Sequence, residues 1–385
     1  MASLRYSWRF LMAALLTGAP LSAPALARIE AGEGIGGPEA IEIAIVLDTS
    51  GSMEPLIDAA RVGLWDIVND LARLKPAPQL RVALIAFGGK GDGSRDGWVR
   101  LQAPLTRDLD LVSGRLFEME AGGGTEYVGR ALRMALERLA WSPPGSGALR
   151  LVLLAGNEPA DQDPEVDFLA VGHGARQEGF DVFVIYCGRA EEPTAATWKQ
   201  LATEADGAFA SMSLESAASL LGTPYDREMI ELGKRLNATY VSWGGAGREG
   251  RKAQTAQDRK VARLSPAAAA ARAETKAGAL YEPEWDLVGA VVSGRVDLGT
   301  VAPESLPHSL RGLTGDELAA WVQSTWLERQ ELQKRILALG EQRRQHLDEQ
   351  ARARGAGAGG ATFESIVRDA IRRELEERGF RPAAD

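Results

Sequence analysis

The stretch that decides the fold is IEIAIVLDTSGS, residues 41–52. Its first seven residues form a nearly continuous apolar run, which is typical of a strand buried on both faces of a parallel sheet. The run ends at Asp48, and the hydroxyl residues Ser50 and Ser52 follow at alternate positions. Ligands of open α/β sheets bind at the carboxyl ends of the strands, so residues 48–52 are the first candidate for a binding site.

Strand and helix patterns alternate after this first run. Apolar residues recur at helical spacing over residues 56–71. Two strand patterns follow at residues 80–89 and 98–105, the second of which could be an edge strand, and helical segments then alternate with three more at residues 149–156, 180–188 and 208–214. Parallel strands need long crossover connections, which are usually helices. The alternation therefore predicts an α/β fold over residues 41–222, built on a doubly wound and mostly parallel sheet.

The composition changes beyond residue 222, where Ala, Glu, Arg and Gln dominate. This change predicts a mostly helical region over residues 223–350, a Gly/Ala linker over 351–361 and an amphipathic C-terminal helix over 362–385. One long helix is expected over residues 314–350, with a near-heptad apolar seam of Leu318, Val322, Leu332, Ile336 and Leu339. A coiled coil and self-association through these helices are open alternatives, although Arg329 and Arg343 fall on the same seam.

The N-terminus has the pattern of an export signal. Arg5 and Arg9 precede an apolar run, and a small-x-small triplet ends at Ala27. We expect a signal peptide over residues 1–27, a leader over 28–40, and a periplasmic or extracellular protein after cleavage. The alternative is a membrane anchor, but Gly and Pro interrupt the run before it reaches the roughly 20 apolar residues that a span requires.

Composition excludes several classes of function. The net charge of −9 becomes two units more negative once the signal is removed, so nucleic acid is not an expected partner. No later run is apolar for long enough to span a bilayer. Cys187 is the single cysteine, which rules out an internal disulfide, and its place in an apolar strand predicts a buried structural thiol.

The motif D-x-S-x-S at residues 48–52, followed by Gly-Gly-Thr-Glu at 123–126, resembles the von Willebrand factor A (VWA) family, which has a Rossmann-like fold. The phrase VLDTSGSM and the helical tail are similar to those of secreted bacterial members. The resemblance implies a metal-ion-dependent adhesion site in which Ser50 and Ser52 bind Mg²⁺ directly, with Mn²⁺ or Ca²⁺ as alternatives. It also implies that Asp48 acts through water, that Thr125 joins the site, and that a protein or peptide partner offers a carboxylate.

The third loop of the implied site departs from the family pattern. Gly156 stands where the family usually has Asp, and Asn157 and Glu158 follow it as substitute ligands. Glu126, next to Thr125, is another carboxylate that could reach a bound water. On this alignment, Gly156→Asp should restore the usual carboxylate and tighten Mg²⁺ binding.

Two other interpretations remain open. Asp48, Ser50 and Thr125 are of residue types that cap helices, so the domain could be a metal-free structural or assembly scaffold. An enzyme is not expected, because the three histidines form no H-E-x-x-H motif and Ser50 has no evident base. The sequence thus favours a metal-assisted binding domain without catalytic residues.

Overall fold

One six-stranded sheet organises the first half of the protein in the computed structural model, which describes residues 40–89, 97–214, 221–354 and 362–378. The strands are β1 (Ala40–Asp48), β2 (Gln79–Phe87), β3 (Val99–Thr106), β4 (Leu149–Gly156), β5 (Asp181–Tyr186) and β6 (Ala208–Ser211). They lie in the order β3-β2-β1-β4-β5-β6. β3 runs antiparallel to β2 at one edge, and the other pairings between these strands are parallel. The predicted doubly wound, mostly parallel sheet is confirmed.

Helices cover both faces of the sheet. They are α1 (Glu54–Ala72), α2 (Leu109–Glu118), α3 (Val128–Arg138), α4 (Phe168–Gln177) and α5 (Ala195–Glu204). On β1, Ile43 and Ile45 pack into the core that contains α1 and α2, while Ala44 and Val46 pack into the core that contains α3, α4 and α5. Because β1 is buried on both sides, its sequence is apolar at successive positions instead of alternate ones.

The second half of the protein is helical, as the composition predicts. Its helices are α6 (Asp226–Thr239), α7 (Gly244–Leu264), α8 (Pro266–Ala277), α9 (Leu287–Val292), α10 (Gly315–Arg354) and α11 (Phe363–Glu377). α10 begins after Thr314, whose backbone N–H donates to Glu317 Oε2 at 2.8 Å. It continues through residues 351–354, which the sequence had assigned to the linker, because Ala and Arg are strong helix formers. The rest of that linker lies outside the described residues.

The apolar seam of α10 packs against helices of the same chain. Leu332, Ile336 and Leu339 join the core formed with α6 and α8, and Leu318 and Val322 pack with α9. The two seam arginines pair with carboxylates: Arg329 Nη1 lies 2.6 Å from Oδ2 of the buried Asp286, and Arg343 Nη1 lies 3.0 Å from Oδ1 of the half-buried Asp66. The near-heptad pattern thus describes a helix inside an intramolecular bundle.

The helical region shares its core with the sheet. In α1, Asn69 Nδ2 donates to the Ala271 carbonyl at 2.9 Å, and Asn69 Oδ1 accepts from Thr275 Oγ1 at 2.7 Å. Phe363 of α11 is 1% exposed and packs close to Gly63 of α1. The domain boundary at residue 222 remains a prediction, and the helices beyond it bury the outer face of α1.

The expected signal peptide (1–27) and the leader up to residue 39 lie outside the described residues, as does the end of the expected C-terminal helix (379–385). Among the helices that are described, none combines the length and hydropathy needed to cross a membrane.

Candidate metal centre

The first loop of the site follows β1 and is anchored by its own backbone. Asp48 is fully buried, and its Oδ1 accepts a hydrogen bond from the backbone N–H of Ser50 at 2.7 Å. Thr49 Oγ1 donates to the Phe87 carbonyl at 2.9 Å, which ties the loop to the end of β2. Hydrogen bonds within the loop and to the end of β2 therefore hold residues 48–50 in place before α1 begins.

The capping interpretation of these residues is wrong. The N-cap of α1 is Met53 and that of α3 is Tyr127, and neither position has a side-chain capping hydrogen bond. Asp48 and Ser50 lie upstream of the α1 cap, and Thr125 lies upstream of the α3 cap. Helix capping therefore does not explain why Asp48, Ser50 and Thr125 occupy these positions.

The second loop, residues 122–126, packs directly on the first. The backbone N–H of Gly122 donates to the Thr49 carbonyl at 2.8 Å. A β-carbon on Gly124 would come within 2.4 Å of the Gly88 carbonyl oxygen, so this approach requires glycine. The half-buried Thr125 follows this contact and is thereby brought beside the first loop.

The third loop reaches the site through Asn157. β4 lies beside β1, with Ala155 opposite Leu47, so the loop after β4 begins close to Asp48. Asn157 Nδ2 donates to Ser52 Oγ at 3.0 Å. Glu158, the other substitute ligand named from the sequence, has an exposed side chain.

Trp198 is a residue of this region that sequence reasoning missed. A β-carbon on Gly156 would come within 2.9 Å of the Trp198 ring and 3.1 Å of Asp48 Cβ. The indole is fully buried, and its Nε1 donates to the Glu158 carbonyl at 2.7 Å. An Asp at position 156 would have to displace the Trp198 ring, and the effect of Gly156→Asp on Mg²⁺ binding stays a prediction. No spacing in the sequence connects α5 with this loop.

Three buried oxygens at this end of the sheet have no hydrogen-bond partner: Asp48 Oδ2, Ser50 Oγ and Asn157 Oδ1. Leaving a buried polar atom unpaired costs about 1–3 kcal/mol, so such atoms seldom gather without a reason. Carboxylate, hydroxyl and amide oxygens are the ligands that hard cations such as Mg²⁺ and Ca²⁺ take. The donor set present fits a divalent cation of this kind.

The family model for the von Willebrand factor type A domain matches residues 42–223. This region of the chain is a VWA domain. The fold and the three converging loops agree with that assignment, which also confirms the resemblance drawn from residues 48–52 and 123–126.

Several solved structures are similar to the chain. The conserved hypothetical protein BatB from Bacteroides thetaiotaomicron is 17% identical with a TM-score of 0.35, and the match covers 45% of this chain and 91% of that one. A VWA structure from Catenulispora acidiphila is 19% identical with a TM-score of 0.34, covering 45% and 38%. Proximal thread matrix protein 1 from the mussel byssus, with a zinc-occupied MIDAS motif, is 17% identical with a TM-score of 0.37, covering 47% and 44%. A comparison with curated proteins found no match.

A VWA domain indicates a role in protein interaction or adhesion. Within the described ranges, no group of three or more His, Cys, Asp or Glu side chains is arranged to hold a metal ion. A cation at this VWA domain would therefore depend on hydroxyl and amide oxygens as well as on carboxylates.

Burial controls the acid–base chemistry of the VWA site. It raises the pKa of Asp48 to about 7, and the charge of the neighbouring Glu126 adds to the effect. Burial likewise raises the pKa of Glu126, with a further contribution from the charge of Glu158. Cys187 is 4% exposed and burial raises the pKa of its thiol well above the usual range, so the predicted buried structural thiol is confirmed.

Proposed function

We propose that this protein is an exported VWA protein that captures a protein or peptide partner through a divalent cation, Mg²⁺ in the first instance. The cation would be held at the carboxyl end of the sheet by Asp48, Ser50, Ser52 and Thr125. The observation that carries the proposal is the group of unpaired buried oxygens on Asp48, Ser50 and Asn157. Mn²⁺ and Ca²⁺ are the alternative ions, since both also prefer oxygen ligands.

The exposure of the site residues suits a binding role. Ser52 is exposed while Asp48 and Ser50 are buried, so a cation between them would have protein on one side and solvent on the other. When bound, the cation would supply positive charge for a partner carboxylate. Ser52 would be oriented by Asn157, and Asp48 would offset the charge of the ion. This arrangement requires no nucleophile or proton shuttle, in keeping with a protein that is not an enzyme.

A metal-free scaffold is the second candidate function. The observation that favours it is the Trp198 ring beside Gly156, which leaves no room for the family's third-loop carboxylate. A scaffold would use the same loops as a rigid binding surface, with the protein partner recognised by contacts other than a shared cation.

Calorimetric titration with Mg²⁺, Mn²⁺ and Ca²⁺ distinguishes the two functions. The wild-type protein should bind at least one of these ions and melt at a higher temperature in its presence, because a ligand that binds only the folded state stabilises it. Ser50→Ala should lose both effects. Ser309→Ala, an exposed serine in the helical region, is the matched control and should keep both. Absence of binding by the wild-type protein would favour the scaffold.

Export and self-association need separate tests. Protein recovered from its native compartment should begin at Arg28, and intact Met1 on protein from the cytoplasm would contradict export. Light scattering over a concentration range tests whether the C-terminal helices hold two copies together. A concentration-independent monomer mass would remove self-association from the proposal and leave the helical region as a surface for a different partner.

A further inference from the structure

Glu126 is a buried carboxylate beside the proposed cation. We propose that Glu126 supplies the second carboxylate of the metal site, in place of the acidic residue that Gly156 cannot carry. The inference rests on the proposed function, because it names a further ligand of the same cation. It assigns a role to a side chain that the D-x-S-x-S pattern and the following threonine do not include.

The position of Glu126 can be measured from Gly88, at the end of β2. A β-carbon built on Gly88 would lie 3.0 Å from Asp48 Oδ1, 3.0 Å from Glu126 Cγ and 3.6 Å from the backbone nitrogen of Ser50. Gly88 has a φ of +75°, which favours glycine. The first loop and the Glu126 side chain thus converge on one point, and the absence of a side chain at residue 88 lets them approach.

Among the described residues, no positively charged side chain is paired with Glu126. Its side chain is largely covered, with 8% of the residue exposed, and in the part of the chain that the structure describes no Lys or Arg forms an ion pair with it. Gln162 Nε2 donates to Glu126 Oε2 at 3.3 Å, a long hydrogen bond to a neutral group. Burying an unpaired carboxylate is costly, and a bound cation is one of the few ways to offset that cost.

Two neighbouring residues hold unpaired oxygens at the same place. Asp48 is fully buried with Oδ2 unpaired, and Ser50 is 5% exposed with Oγ unpaired. Glu126 is therefore not an isolated acidic side chain, because the loop that carries it packs against the loop that holds these two unpaired buried oxygens. Asp48 and Glu126 together would give the cation the two negative charges that it needs for tight binding.

The packing of the third loop explains why the second negative charge at the cation comes from Glu126 on the second loop. The Trp198 indole fills the space next to Gly156, and its hydrogen bond to the Glu158 carbonyl fixes the loop around it. Arg130 further ties this loop to α3 through Asp163, with Nε–Oδ2 at 2.8 Å. A carboxylate cannot enter from this side without moving the ring, whereas Glu126 enters from the second loop without such a movement.

An alternative role for Glu126 is to block the position that a partner's carboxylate would take. The burial of Glu126 argues against it, because the exposed side of the site is formed by Ser52. A blocking residue would sit on the exposed side, where the partner approaches. A ligand of the cation is expected on the buried side.

The test compares Mg²⁺ and Mn²⁺ binding by the mature full-length protein in four variants. Glu126→Gln keeps the acceptor for Gln162 and removes the charge, so it should raise the dissociation constant by at least about tenfold. Its melting temperature in EDTA should be unchanged or higher, because a buried charge next to Asp48 has been removed. Glu126→Asp retains the charge and should bind more tightly than Glu126→Gln. Glu137→Gln, at an exposed position of α3, is the control and should stay within about threefold of the wild type.

The outcomes separate this inference from the proposed function. If the wild type binds the metal, Ser50→Ala does not, and Glu126→Gln binds as the wild type does or more tightly, Glu126 is not a ligand and only the inference is overturned. If Glu126→Gln melts at a lower temperature in EDTA and Glu126→Asp gives no rescue of binding, Glu126 has a structural role and the inference is again overturned. If the wild type binds neither metal, the proposed function and the inference fail together.

Discussion

The indole of Trp198 lies against Gly156 at the end of β4, and a β-carbon on residue 156 would approach the ring to 2.9 Å. This contact joins α5 to the strand that ends at the third loop of the VWA site. It also restricts residue 156, because a side chain there would have to displace the Trp198 ring and crowd Asp48 Cβ. The departure from the family pattern is thus a packing feature as well as the loss of an acidic residue.

Gly156→Asp should destabilise the protein. Forcing a side chain into this contact is overpacking, which costs about 1–3 kcal/mol, and the new carboxylate would be buried beside Asp48. Urea denaturation in EDTA measures the change in the free energy of unfolding. The control is Gly174→Asp on α4, where a β-carbon meets nothing within 4 Å. Equal stability of the wild type and Gly156→Asp would show that the Trp198 ring moves aside easily.

Ser50→Ala should have opposite effects with and without metal. The Ser50 hydroxyl is buried and unpaired, so its removal should leave the metal-free protein equally stable or more stable by up to about 1 kcal/mol. The same change should abolish the stabilisation by Mg²⁺. Denaturation curves in EDTA and in excess Mg²⁺ give both values. A large loss of stability in EDTA would mean that the hydroxyl has a structural partner.

Features that neighbouring residues determine could be predicted from the sequence, whereas contacts between distant segments of the chain could not. The strand at residues 41–47 and its acidic end follow from local hydropathy, and the chain order of the loops predicts that Thr125 comes near Ser50. The approach of Trp198 to Gly156 could not be predicted, because nothing in the spacing of α5 shows which side chain turns toward β4. Capping was a reasonable expectation for Asp48 and Thr125 from residue type, and the observed helix starts contradict it.

Phe363→Ala should destabilise the whole protein, including the VWA domain. Phe363 is 1% exposed and belongs to the core that contains α1 and one face of the sheet. Truncating a buried phenylalanine typically costs about 3–5 kcal/mol. Urea denaturation followed by tryptophan fluorescence should shift as a single transition. Arg372→Ala, on the exposed face of α11, is the control. Loss of α11 alone, with an unchanged main transition, would instead support an independent VWA domain.

Stability should fall in acid partly because of Asp258. Burial would raise its pKa, but the charges of Lys276 and Arg272 outweigh that effect and lower the pKa to about 2 from the ordinary 3.8. A lowered folded-state pKa gives a stabilisation that is fully present above pH 4 and is lost as the pH falls toward 2. The shift corresponds to about 2 kcal/mol.

The contribution of Asp258 can be isolated with Asp258→Asn. The difference in the free energy of unfolding between wild type and variant should be constant above pH 4 and should shrink between pH 4 and pH 2. Lys276 Nζ lies 2.8 Å from Asp258 Oδ2, so Lys276→Gln should move the loss to higher pH. A difference that does not change with pH would show that the pKa of Asp258 is the same in the folded and the unfolded protein.

The contact between α11 and α1 also has a consequence for the order of folding. Arg368 of α11 pairs with Asp70 of α1 across 298 residues of sequence. Contacts between residues so far apart slow folding, because a long loop must close before they form. Until α11 has been synthesised, the part of α1 that Phe363 and Arg368 contact has no cover, so a nascent chain has to be kept from aggregating during that interval. A folding assay that follows the fluorescence of Trp65, on α1, should therefore report a slow final phase that disappears when α11 is deleted.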